Sequence, residues 1–411
     1  MARAFIISIG DELTKGETIN TNAAYISIEL VKRGIEVSSV LTLPDEYDTG
    51  VRYMEKILQE RGIYIITGGL GGTRDDITRR VICGVLKKNV YIDGEKAEEL
   101  KKWYLKRGRE FTESDRLQAS CPEGGRLLEN GVGLAFGFFI VDEGRYIFAL
   151  PGVPTEMKNM FEIEVIPLLA KEKFFNSNLQ SSTLLFAGIA EYTLDKHLSE
   201  IILKYKGIHY GTRVSYGLIR VRVESRNNEI EPCIREIASL LDSYFINRDE
   251  RKIEQVAGDL LIKNHLTLST AESCTAGWLS KVITDVPGSS EYFKGGVVAY
   301  SNEVKEKMLG VKEKTLKSYG AVSSRTAGEM AGGARKLTGS DIGLSITGIA
   351  GPSGGTVDKP AGTVFICLSC KGQKPETSRN LFAGDRDTVR LRSVNKALFM
   401  LFKFLKGMDL K

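Results

Sequence analysis

Ser273 stands in the run Thr270-Ala271-Glu272-Ser273-Cys274-Thr275-Ala276-Gly277, a turn of small and polar residues between a strand-like segment, 266–269, and a helical segment, 278–284. Such a turn displays a hydroxyl, and the free N–H groups at the helix start suit an anion. Lys305 follows in Tyr300-Ser301-Asn302-Glu303-Val304-Lys305, again where a strand pattern gives way to a helix pattern. A third segment, Ser345-Ile346-Thr347-Gly348-Ile349-Ala350-Gly351-Pro352, adds a hydroxyl and a glycine-rich cradle. A nucleophile, a base and oxyanion donors are the parts that acyl transfer needs. The chain has only 3 His, so a Ser-His-Asp triad is disfavoured, and Lys305 is a candidate base in its place. An ordinary lysine has a pKa of about 10.4 and must be pulled down to act as a base near neutrality. Desolvation and the positive end of its own helix both act in that direction. Tyr300 is placed to relay a proton or orient the pair, and Glu272 reads as a structural partner, with a Glu base as the main mechanistic rival. A thiol nucleophile at Cys274 ranks below the serine. Arg386, in Gly384-Asp385-Arg386, suits bidentate binding of a phosphate.

A second group of residues has the chemistry of a phosphate site. Ser8-Ile9-Gly10-Asp11-Glu12, Gly68-Gly69-Leu70-Gly71-Gly72-Thr73-Arg74-Asp75-Asp76 and Leu150-Pro151-Gly152-Val153-Pro154-Thr155-Glu156-Met157 each end a strand pattern. Glycines that expose N–H groups ahead of a helix accept phosphate. Asp75 and Asp76 are expected in the first helical turn, where carboxylates suit a divalent metal against a diphosphate. No Walker A lysine follows, and the Rossmann spacing is absent.

These residues must be positioned by alternating elements. Strands at 4–9, 36–41, 64–67 and 146–150 alternate with helices at 20–32, 50–60 and 75–86. Such alternation predicts a parallel sheet with helices on both faces and a ligand at the carboxyl ends of the strands. The stretch 176–182 reads as a linker. Next comes a compact α+β module to about residue 245, KH-like in element order but without a Gly-x-x-Gly loop, and read as a spacer and dimerisation module. The charged stretch 247–254 leads into a last α/β domain. Its strands at 296–300, 342–346 and 363–369 and its C-terminal helix at 388–404 frame the Ser273 segment.

Composition excludes several classes. The chain has 411 residues, 42% hydrophobic and 27% charged, with a formal net charge of +5. That charge is too small for a dedicated nucleic-acid binder, so direct binding of nucleic acid is not expected. The six cysteines build no disulfide framework in a chain this long, and Cys367-Leu368-Ser369-Cys370 falls in a strand pattern rather than on a redox or zinc turn. The apolar run 4–9 is too short for a signal peptide, and 132–141 is too short for a membrane span. A cytoplasmic protein without membrane association is expected.

The N-terminal motifs resemble the molybdopterin-binding-like domain of the CinA competence/damage-inducible family, and those around Ser273 resemble its C-terminal nicotinamide mononucleotide (NMN) amidohydrolase domain. The resemblance covers nearly the whole chain. It implies a three-layer α/β domain over 1–172, a KH-like module over 173–250 and a CinA α/β domain over 251–411. It further implies deamidation of NMN by Ser273, Lys305 and Tyr300, with Ser290, Asn302, Thr347, Gly348 and Arg386 binding substrate and Ser323 a weaker candidate. The deamidase would need no cofactor. For the first domain it implies hydrolysis of ADP-ribose held by Gly10, Gly68, Gly69, Gly71, Thr73, Gly152 and Glu156. A divalent cation (Mg, Mn or Co), with K+ as an optional companion, would sit on Asp11, Asp75 and Asp76. A homodimer is implied as well. Two rival readings are a competence-related scaffold and a pterin-binding first domain. The family usually has Gly-Pro-Thr where this chain has Gly71-Gly72-Thr73, and Ala-Pro-Gly where it has Ala135-Phe136-Gly137. The first change loosens a loop, and the second is expected to put a ring beside the pocket.

Overall fold

The computed structural model describes residues 2–175, 180–225 and 229–409. They form two compact units, the second beginning at Gln180.

The first unit is built on a six-stranded sheet of order β2-β1-β3-β8-β7-β6. Its strands are β1 (Arg3–Ile9), β2 (Glu36–Leu43), β3 (Gly62–Thr67), β6 (Arg126–Leu128), β7 (Gly137–Asp142) and β8 (Arg145–Leu150). β4 (Val90–Ile92) and β5 (Ser120–Pro122) form a separate pair. The expected parallel arrangement holds for β2, β1, β3 and β8. The edge is instead an antiparallel extension through β7 and β6. The apolar run 132–141 is the source of that difference, because its second half pairs with β8 across the tight turn at Glu143 and Gly144. Two apolar clusters form around the sheet. Ile7, Tyr64, Ile66 and Ile147 belong to one, with Val81 and Ile82 of the helix Thr78–Leu86. Ile6, Ile65 and Phe148 belong to the other, with Ile26, Leu30 and Met157 from helices Thr21–Lys32 and Pro154–Met160. The alternation of β1 residues between the two clusters is the period-2 pattern of a sheet covered on both faces.

The second unit carries two sheets. β9 (Gln180–Ala187), β10 (Ile208–Ser215), β11 (Leu218–Ser225) and β12 (Phe245–Asn247) lie in the order β10-β11-β9-β12, with helices Glu191–Ile202 and Ile230–Leu240 packed on one face. The linker expected at 176–182 is partly displaced: 176–179 lie outside the described residues, and Ser181 and Ser182 already pair with β11. β13 (Leu268–Glu272), β14 (Phe293–Val298), β15 (Ile342–Gly348), β16 (Thr363–Cys370) and β17 (Glu376–Leu381) lie in the order β14-β13-β15-β16-β17. β14, β13 and β15 are parallel, and β16 and β17 add an antiparallel edge. The long helix Arg386–Asp409 contributes Val389, Val394, Ala397, Leu398 and Leu401 to the cluster on this sheet. Cys367 and Cys370 are both buried as free thiols, as their strand pattern predicts. Among the described residues no helix is long and apolar enough to cross a membrane.

Arg79 holds the first unit's loops together. It is 5% exposed, and its guanidinium donates to the carbonyls of Ser120, Leu70, Gln118 and Phe136 at 2.6–3.0 Å. Each stranded buried carbonyl costs about 1–3 kcal/mol. Arg79→Met should therefore destabilise this unit by about 3 kcal/mol or more. A thermal melt followed by tryptophan fluorescence at Trp103 reads the loss, and an unchanged melting temperature would refute the clamp.

Candidate functional sites

Ser273 follows β13 directly, and its N–H donates to Ile346 O at 2.9 Å, which ties this residue to the neighbouring strand β15. The chain then folds back through Ala276 (φ 49) and Gly277 (φ 93). Left-handed backbone at two successive residues turns the strand sharply into the helix Trp278–Thr284. Glu272, fully buried, fixes this turn. Its carboxylate accepts from the N–H groups of Gly277 (3.1 Å), Leu279 (3.0 Å) and Ser280 (2.8 Å) and from Ser280 Oγ (2.7 Å). It caps the helix with its charge at the positive end. This agrees with a structural role and leaves no spare lone pair aimed at catalysis.

Lys305 lies on the helix Asn302–Leu309, capped by Ser301 Oγ, which accepts from Val304 N. The lysine is 1% exposed. Nζ lies 3.2 Å from Ser273 Oγ, 2.7 Å from Ala299 O and 3.3 Å from Tyr300 O. No carboxylate pairs with it among the described residues. Burial pulls its pKa below the ordinary lysine value, opposed only by the nearby Cys274. Once deprotonated, the amine has N–H groups for the two carbonyls and a lone pair for the Ser273 hydroxyl. Burial pushes the Cys274 thiol up to about 11, so the thiol is a poor nucleophile near neutrality.

Tyr300 takes a different place from the one expected. Its backbone carbonyl holds Lys305, but its ring is 62% exposed and its hydroxyl accepts from Arg386 Nη2 at 3.1 Å. The hydroxyl orients Arg386 rather than the Ser–Lys pair. Arg386 opens the last helix and donates through Nη1 to Gly351 O at 3.0 Å. Its partners are neutral, so its charge remains for an anion. Thr347 is fully buried with its hydroxyl donated to Ala321 O at 2.8 Å, and so braces the floor of the site. Gly348 is required by packing, since a Cβ would come 2.8 Å from Thr363 O. Ser323 caps the helix Ser324–Thr338. Asn302 is exposed on the first turn of the Lys305 helix. Ser290 does not join them. It lies in the turn Ser289–Glu291 before β14, while Ser273 follows the end of the parallel strand β13. The length of a strand, roughly 17 Å, separates the two ends of the sheet.

Arg390 escaped notice in the sequence. It donates to Thr275 O at 3.1 Å and stacks over Trp278 at 4.9 Å, pinning the far side of the turn after Ser273. Its spacing of four from Arg386 on one helix face was the available signal.

In the first unit the three strand-end segments converge, as the parallel topology demands. Gly10, Gly68, Gly69 and Gly152 line one cavity of about 390 Å³ together with Glu12, Asn22, Asp45, Thr67, Asp75 and Asp76. Gly68 has φ 95, and a Cβ there would sit 2.1 Å from Ile9 O. Asn22 donates to Gly152 O at 2.7 Å, while its buried Oδ1 has no partner. An orphaned buried acceptor in a cavity wall marks a place for a ligand donor or an ordered water.

The acidic residues divide. The helix begins at Thr78, not at Asp75, because Thr78 Oγ1 donates back to Gly68 O at 2.7 Å. Asp76 therefore sits in the preceding loop and binds Gly71 N (2.7 Å), Thr73 N (2.8 Å) and Thr73 Oγ1 (2.7 Å). These bonds hold the Gly71–Thr73 loop that lacks proline. Asp11 pairs with Lys15 at 2.6 Å and accepts from Asp45 N at 3.1 Å, so it too is a loop brace. Asp45, not singled out in the sequence, is raised above the ordinary carboxylate range by burial and by the charges of Asp11, Glu12 and Asp75. That crowding suits a cation. No group of three His, Cys, Asp or Glu side chains is close enough to form a metal centre among the described residues. A Mg²⁺-like ion needs only one or two carboxylates, with water and substrate phosphates supplying the rest. A pair of cavity carboxylates such as Asp45 and Asp75 fits that mode.

Glu156 accepts from Asn130 Nδ2 at 2.6 Å and lines an adjoining cavity of about 510 Å³ with Leu134, Ala135 and Val153. The Phe136 ring packs instead with Leu134, Ala97 and Leu100, so the bulk expected beside the pocket is turned away from it.

Residues 250–405 match the family model described as the CinA C-terminal domain, and residues 5–171 match the probable molybdopterin binding domain. A putative competence-damage inducible protein of Acetivibrio thermocellus is 38% identical, over 98% of this chain and 100% of its own. One from Desulforudis audaxviator is 39% identical, over 98% and 99%. Among solved structures, the protein CinA with unknown function from Thermoplasma acidophilum is 31% identical, covering 41% of this chain and 96% of that chain with a TM-score of 0.37.

Proposed function

Because the chain belongs to the CinA family of competence-damage inducible proteins, with a molybdopterin-binding-like domain at residues 5–171, we propose that it is a two-headed hydrolase of pyridine-nucleotide fragments. The second unit deamidates NMN to nicotinate mononucleotide and ammonia. The first hydrolyses ADP-ribose to AMP and ribose 5-phosphate.

The observation that carries the first activity is the fully buried Lys305 amine 3.2 Å from the Ser273 hydroxyl, with two carbonyls and no carboxylate around it. In the proposed reaction Ser273 Oγ attacks the carboxamide carbon and its proton passes to Lys305 Nζ. The oxyanion meets N–H groups of the turn after Ser273. As the C–N bond breaks, Lys305 returns the proton to the leaving nitrogen and ammonia departs. Water then attacks the acyl-enzyme, again giving its proton to Lys305, and the carboxylic acid is released with Ser273 restored. Arg386 binds the NMN phosphate, with Tyr300 orienting it.

For the first unit the support is the 390 Å³ cavity walled by glycine backbone and by Glu12, Asp45 and Asp75. A divalent cation held there would neutralise the diphosphate. The glycine N–H groups and Asn22 orient the ligand, and the braces Asp76 and Asp11 keep the loops in place. Pterin binding is the rival for this cavity. Release of AMP from ADP-ribose, abolished by EDTA, supports the pyrophosphatase; pterin binding without cleavage supports the rival.

Ammonia release from NMN by the purified chain tests the deamidase, and its absence from folded protein ends that reading. Arg386→Lys keeps the charge but loses the planar fork. KM for NMN should rise about tenfold to a hundredfold, the scale of one charge-assisted bond, with kcat changing less. An unchanged KM would remove Arg386 from the phosphate site.

A further inference from the structure

A cavity of about 270 Å³ opens elsewhere in the second unit, where the β10–β11 hairpin meets β17 and the last helix. It is separate from the Ser273–Lys305 pair. Its positive charge comes from Arg392 and Lys396, and no Asp or Glu lines it. Lys396 is half-buried and forms no ion pair among the described residues. The charged groups that bear on it are Lys403 and, beyond salt-bridge reach, Glu376. Burial is the largest influence and pulls its pKa down, which an anion in the cavity would reverse.

The walls are aromatic. Phe399 carries the Lys396 ammonium 5.7 Å from its ring centroid, and Phe382 also lines the cavity. Gly188 lets the strand turn approach Phe399, since a Cβ there would fall 2.2 Å from Phe399 Cε1. Tyr216 supplies an independent sign. It occupies the hairpin turn with φ 49, beside Gly217 at φ 84. Both central residues of such a turn favour Asn, Asp or Gly, and a bulky side chain at positive φ is strained. Yet its ring is exposed at the cavity. Strain of this kind points to a function for the side chain.

Asn395 Nδ2 donates to Tyr216 O at 3.0 Å and holds the hairpin turn, and the Asn380 carboxamide is bonded to Val364 and Ser378, so the groups left for a ligand are the two cations and the aromatic faces, which match one ligand class. We propose that this cavity binds a nucleoside monophosphate, with the phosphate on Lys396 and Arg392 and the base against Tyr216 and Phe382. The volume lies just below the range of ligand pockets, roughly 300–1,000 Å³, and is too small for a dinucleotide. The site also touches the catalytic machinery. Arg392 Nη1 now donates to Ala383 O at 3.2 Å, in the loop that presents Arg386. A phosphate competes with that carbonyl for Arg392. Lys396 and Arg386 share one helix, about 15 Å apart at 1.5 Å per residue. The regulatory consequence rests on the deamidase reading; the binding does not.

The test is isothermal calorimetry of the full chain with AMP, in EDTA, beside Lys396→Met and Arg386→Ala. Melting curves of each protein confirm folding. Binding that weakens at least tenfold in Lys396→Met and persists in Arg386→Ala is expected, with inorganic phosphate binding more weakly than AMP. An AMP-dependent shift in KM for NMN, absent in Lys396→Met, is expected alongside. Affinity unchanged by Lys396→Met, or no AMP binding at all, overturns the site. Inorganic phosphate binding as tightly as AMP overturns the assignment of a base. Failure of NMN deamidation in every protein would strike the preceding reading, while the calorimetry would still decide this one.

Discussion

Lys305→Met should reduce ammonia release from NMN by about 10³-fold or more, and Ser273→Ala by a similar factor. Groups that act as one unit lose most of their effect when any member is removed, so the double variant should be little worse than either single one. Met preserves the apolar stem and removes only the amine. The pH dependence distinguishes a base from a mere neighbour. The lowered pKa of Lys305 means that kcat/KM climbs with pH as the amine loses its proton, then levels off below the ordinary lysine range. Stability carries the same sign. Between the lowered folded value and about 10.4 the unfolded chain binds more protons, so stability rises with pH across that window and is lost as pH falls through the folded value. Lys305→Met should flatten that component in melts taken across pH. Full activity in either variant would move the nucleophile to water or to Cys274.

Glu272→Ala should cost about 3–5 kcal/mol of stability in the second unit. The carboxylate is fully buried and joins three backbone N–H groups and the Ser280 hydroxyl. Removing it strands those donors, each worth about 1–3 kcal/mol and not fully additive. Glu272→Gln keeps the size but replaces an acceptor oxygen with an amide donor facing backbone N–H groups, so it should also be destabilised, by less. Chemical denaturation reads both. If Glu272 were instead the general base, Glu272→Gln would leave stability near wild type and abolish turnover. A stable, inactive Gln variant would therefore favour the rival mechanism over the structural one.

Much of this was legible along the chain because it depends on local rules. Alternation of strand and helix patterns predicted the parallel strands β1, β2, β3 and β8, and parallel topology necessarily brings Gly10, Gly68 and Gly152 to one edge. The small-residue turn around Ser273 and the strand-to-helix step before Lys305 follow from residue type and spacing. What the sequence could not determine is how each side chain divides its bonds, because the competitors lie far away in the chain. Asp75 and Asp76 look alike in sequence and both line the cavity, yet Asp76 spends its carboxylate on the Gly71–Thr73 loop while Asp75 does not, since Thr78 captures Gly68 O and delays the helix. Asp45 becomes part of the site only because β2 lies beside β1. Tyr300 faces Arg386, eighty-six residues on, instead of the lysine beside it. Ser290 is left at the wrong end of β14 by the direction of the strand. The depressed pKa of Lys305 is likewise a tertiary property: residue type supplies the amine, but only the packing that excludes water from it sets its proton affinity.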